Sequence, residues 1–243
     1  VIQSELPGDR KPAIGRPLEE RGKAKEGLFV RSREIEEYKR SLRLSSEQRE
    51  VLVGLLLGDA HLETQNRGQT YRLKIEQSAA HRAYIDHLYH LFEPWVLTPP
   101  QPKQVVSQAH VSTNWWFQTI SHPAFRFYAQ QFYRQGRKRV PRLIHRWLKP
   151  RGLAYWFMDD GSLKWEQSRA ILLNTQGFEL SDVERLIQVL QQQFALEAFP
   201  RRQTEGYQIV IPGRSLERWV ALIGPYMCLK CYISCLEPDE HIA

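Results

Sequence analysis

Two aspartates occupy matching places in two apolar segments of this sequence. Asp59 is the eighth residue of LVGLLLGDA (52–60), and Asp160 is the eighth residue of LAYWFMDDG (153–161). Each segment is predicted to be a buried helix that ends at its aspartate. Carboxylates brought close together repel each other unless a cation lies between them. Oxygen ligands of this kind suit Mg²⁺, and a water bound to such a metal can hydrolyse a phosphodiester.

An Asp-Asp-Gly sequence after a helix also has a simpler explanation, which is a solvated turn with a left-handed glycine cap. The matching aspartate in the first segment favours a paired site, with Asp59 and Asp160 as catalytic residues and metal ligands. Gly58 and Asp159 immediately precede the pair and are further candidate metal ligands. For Asp159 a role in a turn or a cap is the alternative, and at this stage both roles stay open.

The first apolar helix has a recognisable start. Ser45 and Gln48 have the spacing of a capping box, and residues 51–57 are apolar on nearly every side, which predicts a helix buried all round. Glycine inside a helix costs about 1 kcal/mol relative to alanine, so a benefit is expected at Gly54. We expect the two apolar helices to pack side by side, with Gly54 and Ala154 permitting close approach.

The same order of elements follows each apolar segment. Strands are expected at 70–77 and 169–176, and again at 115–120 and 207–211. Helices are expected at 83–92 and 181–194, and again at 122–133 and 214–226. The chain is therefore interpreted as an internal duplication of a helix-strand-strand-helix unit. Two such halves usually pair about a pseudo-twofold axis.

These motifs resemble the LAGLIDADG homing endonuclease family, in its single-chain form with two signature helices. LVGLLLGDA and LAYWFMDDG match the two signatures, and the element order matches from about residue 44 to residue 235. The resemblance implies an α+β fold of two pseudo-symmetric αββαββα-type halves. Their antiparallel sheets would form a DNA-binding saddle, with the signature helices packed at the interface. The predicted parts are a partly disordered basic N-terminal extension, a first half, a basic linker and a second half, at 1–43, 44–134, 135–151 and 152–243.

The resemblance also implies positive charge beside the site. The densest basic run, RQGRKRVPRLIHRWLKPR (134–151), contains Lys138, which matches a lysine near the active site of the family. Such a cation stabilises charge that develops on the phosphate. A solvated linker is the competing interpretation. Lys230 is the candidate for the same catalytic role in the second half, although an ungapped match places Ser234 there.

Family members carry polar residues near the metal-bound water, on the strand after each signature helix. The matching positions are Lys74 and Asn174, with Gln77 and Gln176 as neighbours. Lys74 departs from the glutamine that the resemblance implies. It either adds a cation to the site, makes the two halves unequal, or lies on an exposed strand face.

The predicted strands are the expected DNA-binding elements, because a twisted antiparallel ribbon fits the major groove. Alternate residues on one face of such a ribbon can reach base edges, and arginine is suited to guanine. Each candidate alone could be an ordinary solvated side chain, but together they supply a face of hydrogen-bond donors. The candidates are Arg67, Gln69, Arg72, Lys74, Asn174, Lys164, Trp165, Arg169, Arg201 and Arg202.

The composition agrees with a nucleic-acid partner. The chain has 243 residues and a formal charge of +7, with a pI near 9.4, and a basic surface gains free energy by releasing counterions from a polyanion. No apolar run is long enough for a membrane span, and the N-terminus has no apolar core of a secretory signal. We expect an intracellular protein, in a mitochondrion or chloroplast or in a bacterial cytoplasm.

The cysteines lie together near the end of the sequence. Cys228, Cys231 and Cys235 make no disulfide framework, which fits a reducing compartment. With His241 their spacing could hold zinc. Helical spacing also places the three thiols on one apolar face, and packing in the core is the favoured interpretation.

Two functions follow from the resemblance. The leading hypothesis is a monomeric, site-specific double-strand DNA endonuclease of the intron-homing type, with a long target site and Mg²⁺ or another divalent cation such as Mn²⁺. The alternative is an RNA-binding intron-splicing factor on the same fold, with or without cleavage. A non-catalytic DNA-binding module is disfavoured, because both signature aspartates are present.

Overall fold

A computed structural model describes residues 33–107, 110–165 and 167–228. The chain divides into two units, Val1–Leu42 and Arg43–Ala243. In the first unit residues 33–41 are helical, and Arg33 pairs with Glu37 one turn away at 3.1 Å. Most of the predicted N-terminal extension lies outside the described residues.

The second unit contains two four-stranded antiparallel sheets and the helices that cover them. The helices are α1 (Ser46–Leu57), α2 (Arg82–Phe92), α3 (Arg126–Phe132), α4 (Ile144–Trp147), α5 (Pro150–Asp160), α6 (Leu180–Phe194) and α7 (Leu216–Ile223). Short 3₁₀ turns lie at Ala79–His81, Glu93–Trp95, Pro123–Phe125, Gly213–Ser215 and Gly224–Tyr226. Within the described ranges, none of the helices is long and apolar enough to cross a membrane.

The two sheets have the same topology. The strands are β1 (His61–Glu63), β2 (Arg72–Ser78), β3 (Gln101–Ser107), β4 (His110–Gln118), β5 (Tyr133–Arg134), β6 (Arg137–Lys138), β7 (Gly161–Leu163), β8 (Ile171–Leu173), β9 (Phe199–Gln203) and β10 (Gly206–Ile211). The first sheet has the order β1-β2-β4-β3, and the second has the order β7-β8-β10-β9. A separate hairpin pairs β5 with β6. The α+β class and the internal duplication are therefore confirmed.

Each sheet has one face covered by helices. Helix α2 packs on β2 and β4, and α6 packs on β9 and β10. Along β2 the buried residues alternate with half-buried ones, so that Leu73, Ile75 and Gln77 face the helices. Arg72 and Lys74 lie on the opposite side, as strand geometry requires. The first sheet therefore has an uncovered face, called here the open face. The same name is used for the face of the second sheet that lies opposite α6, although β8 and the end of β10 are buried on both faces.

Helix α1 begins with the predicted capping box. The Ser45 hydroxyl accepts a hydrogen bond from the Gln48 amide at 3.0 Å, and the Gln48 side chain accepts one from the Ser45 amide at 3.0 Å. Gln48 also donates to the Leu91 carbonyl at 2.8 Å, which ties the helix start to α2. Every residue from 51 to 57 is buried, as the all-apolar pattern predicts.

Close contact between α1 and α5 is the central packing feature. A Cβ built at Gly54 would lie 2.2 Å from the carbonyl oxygen of Gly152, and one built at Gly152 would lie 2.9 Å from the carbonyl oxygen of Glu50. Close approach at Gly54 is therefore confirmed. Its counterpart on α5 is Gly152 and not Ala154, the residue that was predicted. Ala154 is fully buried.

The structure also corrects several predicted bounds. The strand predicted at 169–176 is limited to Ile171–Leu173, because the chain beyond it serves other contacts: the Thr175 hydroxyl donates to the Tyr207 carbonyl at 2.6 Å. Strands β3 and β9 were absent from the prediction. Both contain proline beside polar residues, so neither shows the apolar alternation of a typical strand.

Gly54→Ala is expected to lower the free energy of unfolding by about 2 kcal/mol, because the new methyl group overlaps backbone that cannot rotate away. The better helix propensity of alanine offsets only part of this loss. Urea unfolding monitored by circular dichroism measures the change. In Gly177→Ala the added Cβ meets no heavy atom of the described residues within 4 Å, so that control should stay within about 0.5 kcal/mol of the parent. Equal transition midpoints for the two variants would contradict the packing argument.

Candidate active site

The ends of α1 and α5 bring the two signature aspartates to one place. Helix α1 ends at Leu57, and the amide of its cap residue Gly58 donates to the Gly54 carbonyl. Asp59 follows as an exposed residue. Helix α5 includes Asp160, whose carbonyl accepts the Asn174 amide at 2.9 Å. The charge of Asp59 acts on the carboxyl group of Asp160, as expected for a pair at one site.

The turn that could have explained Asp-Asp-Gly does not occur. Asp159 and Asp160 are the last residues of α5, and Gly161 is extended, with φ −94° and ψ 149°. A Cβ at Gly161 would lie 1.9 Å from the Phe157 ring, so close packing accounts for the glycine. The left-handed cap is therefore replaced by a direct passage from helix to β7.

Asp159 reaches across the interface to the end of α1. Its Oδ2 accepts a hydrogen bond from the Asp59 amide at 3.2 Å, and its Oδ1 accepts one from the Tyr84 hydroxyl at 2.8 Å. Burial raises the pKa of Asp159 well above its usual range, and the charge of Asp59 raises it further. These contacts agree with the capping role considered for Asp159.

Lys138 lies beside the carboxylates, on the β5–β6 hairpin. Its ammonium group donates to the Gly58 carbonyl at 2.5 Å, so one lone pair of this candidate metal ligand faces the lysine. Burial lowers the pKa of Lys138, whereas the charges of Asp159, Asp160 and Asp59 oppose that change. The structure thus brings Lys138 to the site and not into a solvated linker.

Burial is also the main influence on Asp160. It raises the pKa of this carboxyl group to about 7, and the charge of Asp59 adds to the effect while Lys138 opposes it. A pKa this high means that the protein alone stabilises the ionised form of Asp160 only poorly. An additional cation at the pair would stabilise the ionised form.

Gln77 is the polar strand residue that contacts an aspartate. Its amide donates to Asp59 Oδ2 at 2.9 Å. Lys74, the residue expected there, instead lies 3.6 Å from Glu63 and 5.6 Å from the centre of the Trp116 ring on the open face. Strand alternation separates Gln77 from Lys74, because positions of opposite parity face opposite sides of the sheet.

The donor set fits a hard divalent cation. Two carboxylates come from opposite halves, and Mg²⁺ is typically held by one or two carboxylates while water or phosphate fills the other positions. Among the described residues, no group of three or more histidine, cysteine, aspartate or glutamate side chains could enclose a metal ion.

The remaining predicted site residues lie near the end of the sequence. Cys228 is a partly exposed free thiol. Lys230, Cys231, Cys235 and His241 lie outside the described residues, as does Ser234. The zinc hypothesis and the second-half lysine therefore stay predictions.

The first-half DNA candidates lie at one end of the first sheet and on its open face. Arg67 and Gln69 are exposed in the turn between β1 and β2, and Arg67 has a positive φ of 55°. Arg72 and Lys74 are on the open face, where the Arg72 guanidinium donates to Glu63 at 2.9 Å. These two cations are thus partly neutralised within the protein.

The second-half candidates divide between two sides of the sheet. Arg201 pairs with Gln208, and Arg202 pairs with Tyr207. The Gln208 amide donates to Asn174 at 2.7 Å, which places Arg201 and Asn174 on the open face. Arg202 lies on the opposite face, so the two arginines cannot both belong to one row of base-reading residues.

The turn between β7 and β8 carries the remaining candidates. Lys164, Trp165 and Arg169 are exposed, and the Lys164 ammonium lies 4.7 Å from the centre of the Trp165 ring. The Trp165 side chain is 58% exposed, which is unusual for its size and leaves the ring available for stacking.

Among the open-face residues of β3 and β4, the sequence reasoning missed Gln101, Lys103 and Asn114. Lys103 and Asn114 both donate to Glu76, at distances of 2.9–3.0 Å, and Trp116 pairs with Gln101. Once β3 is recognised, alternation along QPKQVVS would have indicated Gln101 and Lys103. The proline at its second position hid the strand.

Comparisons with known proteins agree with this arrangement. Residues 49–219 match the model of the LAGLIDADG DNA endonuclease family. Probable intron-encoded endonuclease 1 of Wickerhamomyces canadensis is 32% identical over 83% of this chain and 89% of its own length. DNA endonuclease I-ChuI of Chlamydomonas applanata is 28% identical over 79% of this chain and 96% of its own length.

A solved structure shows the same fold. The homing endonuclease I-WcaI bound to its DNA recognition sequence is 29% identical, with a TM-score of 0.78 over 84% of this chain and 92% of that one.

Asp160→Asn is expected to stabilise the protein at pH 8 in the presence of a chelator. The pKa of Asp160 is about 7 in the folded chain against 3.8 ordinarily, so the folded chain holds the proton more tightly than the unfolded chain. The resulting cost is absent below about pH 4, grows as the pH rises, and reaches about 1–4 kcal/mol above pH 7. Asparagine removes this cost, so the advantage of the variant should be largest at pH 8 and should shrink towards pH 5.

Thermal unfolding in EDTA at pH 5, 6, 7 and 8 measures this difference. Asp86→Asn is the matched control, because the Asp86 side chain is 41% exposed on α2 and pairs with Arg82 at 2.9 Å. An advantage of Asp160→Asn that is the same at pH 5 and pH 8 would show that ionisation of Asp160 is not its cause.

Proposed function

We propose, because this chain belongs to the LAGLIDADG DNA endonuclease family, that it cuts both strands of DNA at one long recognition sequence. The observation that carries the proposal is the meeting of Asp59 and Asp160 beside Lys138, at the junction of two duplicated halves. Duplex DNA has its own approximate twofold symmetry, so two halves of this kind are suited to its two strands.

The site residues have separate roles in this proposal. Asp59 and Asp160 hold a divalent cation, Mg²⁺ or Mn²⁺, through their carboxylate oxygens. When bound, such a cation activates water and stabilises the leaving oxygen. Gln77 orients the Asp59 carboxylate through its amide. Lys138 supplies positive charge toward the phosphate, where charge develops during hydrolysis.

The open faces of the two sheets are the proposed DNA-binding surface. Together they would form a saddle, with base-reading residues on the strands and further contacts from the exposed turns. Arg72, Lys74, Asn174 and Arg201 lie on these faces. Arg67, Gln69, Lys164, Trp165 and Arg169 lie in the turns. Arg202 lies on the opposite face of its sheet and is therefore not proposed as a base-reading residue.

The protein is proposed to be a monomer, because one chain carries both halves and both aspartates. The halves are proposed to span 44–134 and 152–243, joined by the segment 135–151 that brings Lys138 to the site. An organelle, or a bacterial cytoplasm, is the proposed compartment. This is supported by the relative that is named as intron-encoded.

Asp59→Asn and Asp160→Asn should each abolish cleavage that depends on Mg²⁺, while DNA affinity stays within about tenfold of the parent. The reason is that each change removes a charged ligand and leaves the binding surface intact. The recognition sequence would first be found by selection from a randomised duplex library, and cleavage then followed on labelled DNA. Asp86→Asn is the control and should cut normally. Cleavage retained by both signature variants would refute the metal-site assignment.

Arg201→Ala should weaken binding to the recognition sequence by about 1–3 kcal/mol, because an open-face arginine can donate two hydrogen bonds to a base. Arg202→Ala removes the same charge from the opposite face and should cost less than about 1 kcal/mol. Fluorescence anisotropy at one fixed salt concentration gives both values. Equal losses would show that the open face is not the recognition surface.

The splicing alternative has its own expected result. A folded parent protein that cuts no member of the library, yet binds structured intron RNA tightly, would replace the endonuclease proposal. Loss of RNA binding should then follow changes of basic residues and not of Asp59 or Asp160.

A further inference from the structure

The two signature motifs differ at the residue before each aspartate. The first motif has Gly58 there, and the second has Asp159. A Cβ built at Gly58 would lie 2.4 Å from both the Cβ and the Oδ2 of Asp159. The missing side chain in one motif therefore makes the space that the carboxyl group of the other motif occupies.

Asp159 uses this space to hold the backbone at the end of α1. The amides of Gly58 and Ala60 donate back to carbonyls of α1, at 3.0 and 3.1 Å. The Asp59 amide, which lies between them, donates to Asp159 across the interface at 3.2 Å. Asp59 is thus attached at its backbone by Asp159 and at its carboxylate by Gln77.

Tyr84 in turn holds Asp159. Its side chain is 3% exposed and belongs to α2 in the first half, and its hydroxyl donates to Oδ1 of Asp159 at 2.8 Å. These hydrogen bonds link Tyr84 in the first half to Asp159 in the second half, and Asp159 to Asp59 in the first half. Both oxygens of Asp159 accept hydrogen bonds within the protein, which leaves this carboxyl group poorly suited to be a metal ligand.

We propose that Asp159, held by Tyr84, is a positioning residue that fixes the backbone of Asp59 and so directs the Asp59 carboxylate toward the cation and the DNA. The inference rests on the proposed endonuclease function, and it assigns Asp159 and Tyr84 roles distinct from that of Asp160. It also explains Gly58, because a larger residue there would displace Asp159.

Asp159→Asn separates positioning from metal binding. The amide oxygen of asparagine can still accept from the Asp59 amide, and its nitrogen can donate to the Tyr84 hydroxyl oxygen. Cleavage should therefore stay within about tenfold of the parent, whereas Asp160→Asn loses it. A metal ligand would be disabled by the same change, because it loses its charge.

Asp159→Ala removes the contact and should lower the rate at saturating DNA by about a hundredfold, since a displacement of about 1 Å at a reacting group has an effect of that size. Tyr84→Phe should lower it by about tenfold, because Asp159 keeps its bond to Asp59 but loses its own support. DNA affinity should stay within about threefold in both. Tyr89→Phe, on the same helix, is the matched control and should behave as the parent.

A second readout does not depend on cleavage or on metal. In ¹⁵N-labelled protein, the Asp59 amide should be protected from hydrogen exchange in the parent and in Asp159→Asn, and should exchange at least about tenfold faster in Asp159→Ala. If Asp159→Ala does not fold, Tyr84→Phe gives the same test with a smaller change.

The outcomes distinguish the two proposals. Loss of cleavage in Asp159→Asn to the level of Asp160→Asn, or unchanged Asp59 exchange in Asp159→Ala, would overturn the positioning role. A folded parent that cuts no DNA would instead overturn the proposed function, and the exchange measurement would still decide whether Asp159 holds Asp59.

Discussion

The contact between Gly54 and Gly152 is the constraint on which the rest of the structure depends. Two helices can approach so closely only where side chains are missing, because the carbonyl oxygen of Gly152 would lie 2.2 Å from any Cβ at Gly54. That approach sets the separation of the helix ends. It therefore also decides whether Asp59 and Asp160 lie close enough to share a cation, so backbone packing in the core controls the electrostatics at the surface.

The same packing makes the site unfavourable for a protein without a cation. Burial and mutual repulsion raise the pKa values of Asp159 and Asp160, and helix C-termini add negative potential. The protein offsets part of this with Lys138 and with hydrogen bonds from Gln77 and Tyr84. The remaining repulsion between the carboxylates favours binding of a divalent cation. The metal-free protein is less stable because of this repulsion, and a bound ion would relieve it and could attract a phosphate beside it.

Sequence reasoning predicted the features that have strong local signals. The capping box at Ser45, the buried helix after it and the duplicated signature all depend on short patterns, and each is confirmed. It was weaker where tertiary contacts decide. Gly152 was missed because its role depends on which residue of α1 it meets, and β3 was missed because proline interrupts its pattern. The sequence reasoning placed Lys74 beside the aspartates, where the structure has Gln77. A shift of one position along a strand reverses the face of every side chain, and the sequence pattern does not show where such a strand begins.

The complementary pair of Gly58 and Asp159 has a consequence for the origin of the site. In two identical subunits both positions would carry the same residue. Glycine in both would leave the Asp59 amide without the carboxyl group that accepts it here. Aspartate in both would place a Cβ only 2.4 Å from the opposing Cβ and Oδ2, a separation too short for two side chains to coexist. Two identical subunits therefore cannot provide this unequal pair, whereas in one chain each motif can differ from the other. The support of Asp59 is thus asymmetric, and the two halves of the site are unequal although their folds match.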